Sequence, residues 1–444
     1  MRRDIISWLV FVLHTTVIAF EGQIQRLLYY TGAERPLNRR VIKDLQPVLD
    51  SRHTVLVPLL ENKVFVREVT PDSFEPIYLN GGSSLKVDDG NRYIYLGELD
   101  SLQYVACEFS SAEIANSLLP NSQDEGIITH RTLREVSEKI YDDEAISILA
   151  QAVGFNTWHT RTQHCARCGS SLRSEKAGMV LRCSNEDCKA SSYPRIEPAT
   201  MNFVTDQTNR YTLLGRKATW PEKRYSCLAG FLEVGETLEQ CVVRETYEES
   251  GVRVYEDSIV YAGSQPWPFP SSLMVGYRAV AAGGKSGRDM EEEEEDLQAG
   301  KLVEDSTSNG AAGGVQEVIL GMGRGGTSVN AEGAVVLDSV LSPRSATGQK
   351  GGEEERQERR RRRALPTINF DATEMDDVAW FSRDQVREAL SRSRGSTSLG
   401  HDLGFTEAEK RDHGHLHFPG PSSMARVMLT MWALEEHEEE QEEP

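Results

Sequence analysis

Short runs of Val, Leu and Tyr separated by turn residues recur from about Arg26 to Ser110. Thr54–Leu60, Lys63–Val69, Arg92–Leu96 and Leu102–Phe109 read as strands. Asn80-Gly81-Gly82 and Asp88-Asp89-Gly90 read as turns between them. The period becomes helical from about Thr132 to Trp158. Strand-like patterning returns at Ala199–Val204, Tyr211–Gly215, Ile259–Gly263 and Leu273–Ala282, and a helix is expected over Ser382–Leu390. Near the end, Met424, Val427, Met428 and Met431 fall on one face of a predicted amphipathic helix over Ser422–Leu434, a stripe that belongs to a core. Another helix is predicted to begin at Thr237, because Thr237 and Gln240 form a capping-box pair, and to end before Gly251, which suits the left-handed position past a helix end.

Composition separates these elements from other sequence. Residues 283–363 are dominated by glycine, serine and charge runs, a composition that cannot bury enough apolar surface to offset chain entropy. The segment reads as a long insertion between two strands of one domain. Arg359–Arg363 within it reads as a solvated linker or a localisation or RNA-contacting patch. At the start, Arg2 and Arg3 precede an apolar run from Ile5 to Phe20, which fits a signal-peptide or organelle-targeting core, a membrane anchor, or a cytosolic oddity or misplaced start. The net charge of −20 disfavours nonspecific binding to nucleic acid or anionic membrane, although much of it lies in Glu291–Asp296 and Glu435–Glu443. The organisation expected is a leader at 1–21, an N-terminal α+β unit at 26–157, a cysteine-bearing unit at 158–195, a domain in two pieces at 196–282 and 364–434, the insertion at 283–363, and an acidic tail at 435–444.

Two constellations carry chemistry. Cys165-x-x-Cys168 and Cys183-x4-Cys188 present paired thiolates from two short loops, the arrangement that holds one Zn²⁺ tetrahedrally. Four sulfur ligands leave no open position, so this zinc is structural, and its thiolates imply a reducing compartment, in conflict with an exported leader. The second constellation lies on the helix after Thr237. At about 100° per residue, Leu238, Cys241, Glu245, Glu248 and Glu249 share one side. Same-face carboxylates repel, a cost expected where a cation sits between them, and hard oxygen ligands suit Mg²⁺ or Mn²⁺.

With Gly230, Glu236, Arg244-Glu245-x-x-Glu248-Glu249 and Gly251-Val252 in register, this stretch resembles the Nudix box. Thr246 departs from the pattern, where the family usually has a bulky aliphatic. The resemblance implies an α+β fold: a Nudix α/β/α sandwich with a mixed sheet, preceded by a zinc ribbon and an N-terminal α+β domain. It also implies catalytic divalent metal at Glu245, Glu248 and Glu249, with Arg244 and Glu236 as the ion pair bracing the loop–helix–loop. Downstream, Ser264-Gln265-Pro266-Trp267-Pro268-Phe269-Pro270 followed by Ser271-Ser272-Leu273-Met274 reads as a stiff extended segment. Its Trp267 and Phe269 either stack a base or pack on the core.

Zinc ribbon, Nudix box and this segment in that order resemble the NADH pyrophosphatase (NAD⁺ diphosphatase) subfamily of Nudix hydrolases over roughly residues 26–282 and 364–434. The resemblance implies substrate contacts at Tyr193, Phe231, Gln265, Trp267, Phe269, Ser272 and Met274. It further implies metal ligation by the Ala229 carbonyl and by Glu374, and a homodimer. The implied reaction is hydrolysis of the diphosphate bridge of NADH or NAD⁺ to nicotinamide mononucleotide and AMP, with Glu249 the favoured base. Removal of NAD caps from RNA 5′ ends, hydrolysis of another dinucleotide such as ADP-ribose, and a non-catalytic nucleotide sensor are the alternatives. His413, His415 and His417 alternate in a polar loop and read as incidental.

Overall fold

Strand alternation divides the apolar residues between the two faces of each large sheet, and helices cover those faces. In the N-terminal unit, β1 (Thr54–Leu60), β2 (Lys63–Thr70), β3 (Ser73–Pro76), β4 (Leu79–Asn80), β5 (Arg92–Leu99), β6 (Leu102–Glu108) and β7 (Ile128–Arg131) form one mixed sheet with central order β3-β2-β1-β6-β5. On β5, Ile94 and Leu96 join one core while Tyr93 and Tyr95 join the other. Helix α1 (Asp143–Arg161), capped by Asp142, packs Ile146, Leu149 and Val153 into the first of these cores. The helical stretch expected from Thr132 is broken: a one-turn helix over Leu133–Val136 precedes a 3₁₀ turn, and α1 starts afresh behind its own cap. The computed structural model describes residues 42–70, 73–82, 90–119, 127–283, 364–392, 415–420 and 423–435, with Leu37 and short pieces at 328–329, 335–336, 358 and 361–362. The apolar leader, nearly all of the 283–363 segment with Arg359, Arg360 and Arg363, His413, and the acidic tail beyond Glu435 lie outside the described residues.

A small three-stranded sheet follows, β10 (Ser191–Ser192), β9 (Val180–Cys183) and β8 (Leu172–Glu175) side by side. Its β8–β9 turn docks on the N-terminal unit. The Ala177 carbonyl accepts Tyr95 N–H at 2.9 Å, and the Gly178 carbonyl accepts His159 Nε2–H at 2.7 Å. Gly178 has φ +88°, and a Cβ there would stand 2.9 Å from Ile94 Cα, so glycine is required twice over.

The third sheet runs β14 (Arg253–Val254), β16 (Ser272–Ala282), β11 (Glu197–Thr205), β12 (Tyr211–Arg216) and β17 (Asp377–Ser382). Strand β13 (Leu228–Phe231) adds to β11, and β15 (Val260–Trp267) adds to β16. The pair β11–β16 is parallel and the others are antiparallel, which makes the sheet mixed. Helix α2 (Leu238–Ser250) covers the face carrying Val204, Leu213 and Leu228. Helices α3 (Arg383–Arg392) and α4 (Met424–Leu434) cover the face carrying Phe203, Leu214 and Phe381. The result is the expected α/β/α sandwich. Strands β16 and β17, which bracket the 283–363 segment in sequence, lie in this one sheet.

Candidate active site

Helix α2 is fixed at both ends by local chemistry. Thr237 Oγ1 accepts Gln240 N–H at 3.2 Å and Gln240 Oε1 accepts Thr237 N–H at 2.8 Å, closing the capping box. At the other end Gly251 has φ +71°, and a Cβ there would stand 2.4 Å from the Asn369 carbonyl. Glycine therefore ends the helix and also admits the returning chain, where Asn369 N–H donates to the Ser250 carbonyl at 2.8 Å. An Asp371 turn then presents Glu374, with Met375 buried beneath it.

Arg244 organises the acidic face. Its Nε and Nη2 donate to the two oxygens of Glu236, each at 2.8 Å, and Nη2 also donates to the Phe231 carbonyl at 2.8 Å. This bidentate pair holds the Glu236 carboxyl down to about 2. The same guanidinium reaches further than the bracing role expected of it. Its Nη1 donates to Glu245 at 2.8 Å and to Glu248 at 2.9 Å. Glu245 is squeezed between helix and strand: a Cβ on Gly230 would lie 1.8 Å from its Cδ. Burial raises the Glu245 carboxyl, Arg244 opposes that, and the charges of Glu248 and Glu374 add to the rise. Glu374, distant in sequence, thus comes near enough for its charge to act on Glu245.

Glu249 is almost completely buried. Burial pushes its carboxyl up to about 7; the Lys217 ammonium and the Ala229 N–H pull it down and the Glu245 charge pushes it up. Ala229 N–H donates to Oε2 at 3.0 Å, and Lys217 Nζ lies 3.6 Å from Oε1. Lys217 went unnoticed in the sequence, where a lysine after a strand carries no distinguishing signal. The expected role of Ala229 lay in its carbonyl; the contact the structure records at Glu249 is through its N–H. Buried Glu249, half-buried Glu245 and exposed Glu248 present hard carboxylate oxygens from one helix face, the ligand type a divalent cation of the Mg²⁺ or Mn²⁺ kind takes.

Strand parity separates this acidic face from the one assigned to substrate. Thr200 and Asn202 on β11 face α2, touching Cys241 and Val242, and Gly230 pairs with Thr200. Ala199 and Met201 face the other way, and their partners Phe231, Ala229 and Met274 share that side. Phe231 is exposed on that side, Tyr193 in the segment before β11 is exposed as well, and Ser272 is buried at the start of β16. The edge of β13 therefore joins an acidic face to an aromatic one.

The first half of the proline-rich segment is extended, as expected, and belongs to a strand. Strand β15 continues to Trp267, pairing it with Ser272, and the prolines close a hairpin. Gln265 is buried and its Oε1 accepts Met424 N–H at 3.1 Å, so it binds the first turn of α4 behind the Ser423 cap. Phe269 packs among residues of the N-terminal core, and Trp267 stacks edge-on against it at 5.2 Å with Arg134 over its ring. Of the two readings left open for these aromatics, Phe269 follows core packing.

The four cysteines converge, their sulfurs all within 4.8 Å of one another, and among the described residues no other such group occurs. Cys165 and Cys188 sulfurs lie 3.8 Å apart and those of Cys168 and Cys183 3.4 Å. Zn–S bonds of about 2.3 Å in a tetrahedron require close to these separations. Arg167 N–H and Asn185 N–H each point at a sulfur, Cys165 and Cys183 respectively, at 3.4 Å, stabilising thiolate in both knuckles. The site fits zinc. His415 contacts Arg392, and His417 is buried against the β12–β13 loop.

Residues 195–304, which hold this loop–helix–loop and its carboxylates, match the family model described as NUDIX domain. The chain carries a Nudix domain. It is 40% identical to "Nudix hydrolase 19, chloroplastic" of Arabidopsis thaliana over 143 residues, which is 31% of this chain and 32% of that protein. It is 40% identical to "NAD-capped RNA hydrolase NUDT12" of Homo sapiens over 145 residues, 31% of each. "NAD-capped RNA hydrolase NudC" of Mycobacterium bovis is 40% identical over 142 residues, 32% of this chain and 44% of that protein. The matched region spans less than half the length of these relatives. These matches support the NADH pyrophosphatase-type Nudix subfamily that the sequence resembles. A solved NUDIX hydrolase from Nitrosomonas europaea aligns at 26% identity over 27% of this chain and 68% of that chain, with a TM-score of 0.23.

Proposed function

We propose that this protein hydrolyses the diphosphate bridge of an NAD-type dinucleotide, releasing nicotinamide mononucleotide and leaving a 5′-monophosphate on the adenosine. The observation that carries this reading is the carboxylate set on the β13 edge. Glu249 is buried there, Glu245 is packed on Gly230, and Glu374 arrives from far along the chain. Glu245, Glu248, Glu249 and Glu374 would hold Mg²⁺ or Mn²⁺, which when bound neutralises phosphate charge and lowers the pKa of a bound water. The chain's own groups do the rest. Glu249, held in place by Ala229 N–H, orients the attacking water or accepts its proton. Arg244 keeps Glu245 and Glu248 aligned, and exposed Phe231 offers a ring to a base on the opposite face. Tyr193, Ser272 and Met274 flank that ring in this reading, and Trp267 and Phe269 tie the hairpin to the N-terminal unit. One Zn²⁺ per chain holds the ribbon, and the proposed assembly is a homodimer, which sedimentation tests.

The names of the relatives favour a second substrate for the same bond, the NAD cap at an RNA 5′ end. Chromatography of products from NADH, NAD⁺, ADP-ribose and NAD-capped RNA with Mn²⁺ or Mg²⁺ tests both readings. Nicotinamide mononucleotide from either NAD source supports the reading, and faster turnover of capped RNA makes RNA the substrate. Cleavage of ADP-ribose alone, or of none, rejects it.

A further inference from the structure

Two internal cations lie against the carboxylates of α2, and they differ in freedom. Arg244 is anchored by both oxygens of Glu236 and by the Phe231 carbonyl, so its contacts to Glu245 and Glu248 come from a fixed guanidinium. Lys217 follows directly on β12, its side chain is 47% exposed, and the ion pair it makes is with Glu249. A lysine stem of this kind can carry its charge out to water with little loss. Glu249 cannot follow, since its side chain is 4% exposed and Oε2 is bound to strand β13 through Ala229 N–H. The oxygen left for another partner is Oε1, and that is the one Lys217 covers at 3.6 Å.

We propose that Lys217 is the exchangeable counter-ion of Glu249: it neutralises the buried carboxylate in the metal-free protein, swings out when a divalent cation takes Oε1, and thereby sets the cation concentration at which the site fills. This rests on the metal-dependent reading given above. A buried carboxylate without any cation is costly, so one positive partner replaces another and the carboxylate is never left alone. Arg244 stays in place throughout because its other bonds do not involve the metal ligands.

Equilibrium Mn²⁺ binding, read from the electron-paramagnetic signal of the free ion, tests this in the full chain. Lys217→Met is expected to bind Mn²⁺ about fivefold more tightly than wild type, the size expected for an ion pair with one partly exposed member. Lys217→Arg is expected to bind no more tightly than wild type, and Glu249→Gln to bind poorly. A lysine that only supports the fold would leave affinity unchanged or weaken it on removal. An unchanged or weaker affinity in Lys217→Met therefore overturns the proposal. Undiminished binding in Glu249→Gln, or none in wild type, overturns the metal reading itself and this proposal with it. Should Lys217→Met melt without a folded baseline, Lys217→Gln removes the same charge with a polar side chain and is read by the same criterion.

Discussion

Glu245 lies flat against strand β13 because residue 230 has no side chain: a Cβ on Gly230 would stand 1.8 Å from the Glu245 carboxyl carbon. The atoms in conflict belong to the end of a side chain, so the fold can yield there while the carboxylate cannot keep its position. Gly230→Ala is expected to melt close to wild type and to lose roughly 100-fold or more in kcat, the scale of a 1 Å misplacement at a catalytic group. Parallel melting curves and steady-state rates check this; near-wild-type turnover would mean that Glu245 works from elsewhere.

The metal-free protein should lose stability toward alkaline pH through Glu249. Its carboxyl is raised from 4.5 to about 7 in the fold, chiefly by burial. A group whose folded pKa exceeds its unfolded one stabilises fully below the unfolded value, and that contribution is lost as pH rises through the folded value. The Tm of metal-free protein should therefore fall between about pH 5 and 8. Glu249→Gln should flatten that slope and Mn²⁺ should oppose it in wild type. Identical slopes for wild type and Glu249→Gln would sink the assignment.

Removing one zinc thiolate should undo more than the ribbon. Cys183→Ser is expected to abolish stoichiometric zinc, assayed by a colorimetric chelator, and to lower the Tm. The β8–β9 turn that docks at Tyr95 and His159 depends on the same small sheet. Metal binding of this kind is folding free energy, so amide exchange at Tyr95 should accelerate as well. Full protection there without zinc would show that docking is independent of the metal.

Excision of residues 284–357 with a short glycine–serine joint should leave kcat/KM within about threefold of wild type, since long surface insertions are tolerated thermodynamically. Strands β16 and β17 sit in one sheet on either side of the excised stretch. Residues from 358 onward are kept because Glu358 contacts Tyr211 and Arg362 contacts Gln385. A folded but inactive deletion protein would assign the segment a role in the reaction.

Much of the site was legible in the sequence because it is written over one or two helical turns. The Thr237–Gln240 box, the Gly251 stop and the Glu245, Glu248, Glu249 spacing each depend only on local helix geometry. The cysteine pairs are local in the same sense. Strand positions in the third sheet followed from apolar runs, but β15 extends past its expected end because pairing with β16 overrides the prolines. Thr246 looked like a departure from pattern; in the fold it meets Asn202 Nδ2 at 3.3 Å, so a polar pair occupies that place.

The sequence by itself determined which groups carry charge, sulfur and helix caps, since covalent spacing alone puts them within reach of each other. Tertiary structure alone decided that Lys217 reaches Glu249, that the Glu374 charge acts on Glu245, that Gln265 binds the first turn of α4 and that Phe269 joins the N-terminal core. Those relations join segments far apart along the chain, and only the order and pairing of strands fixes which ends meet.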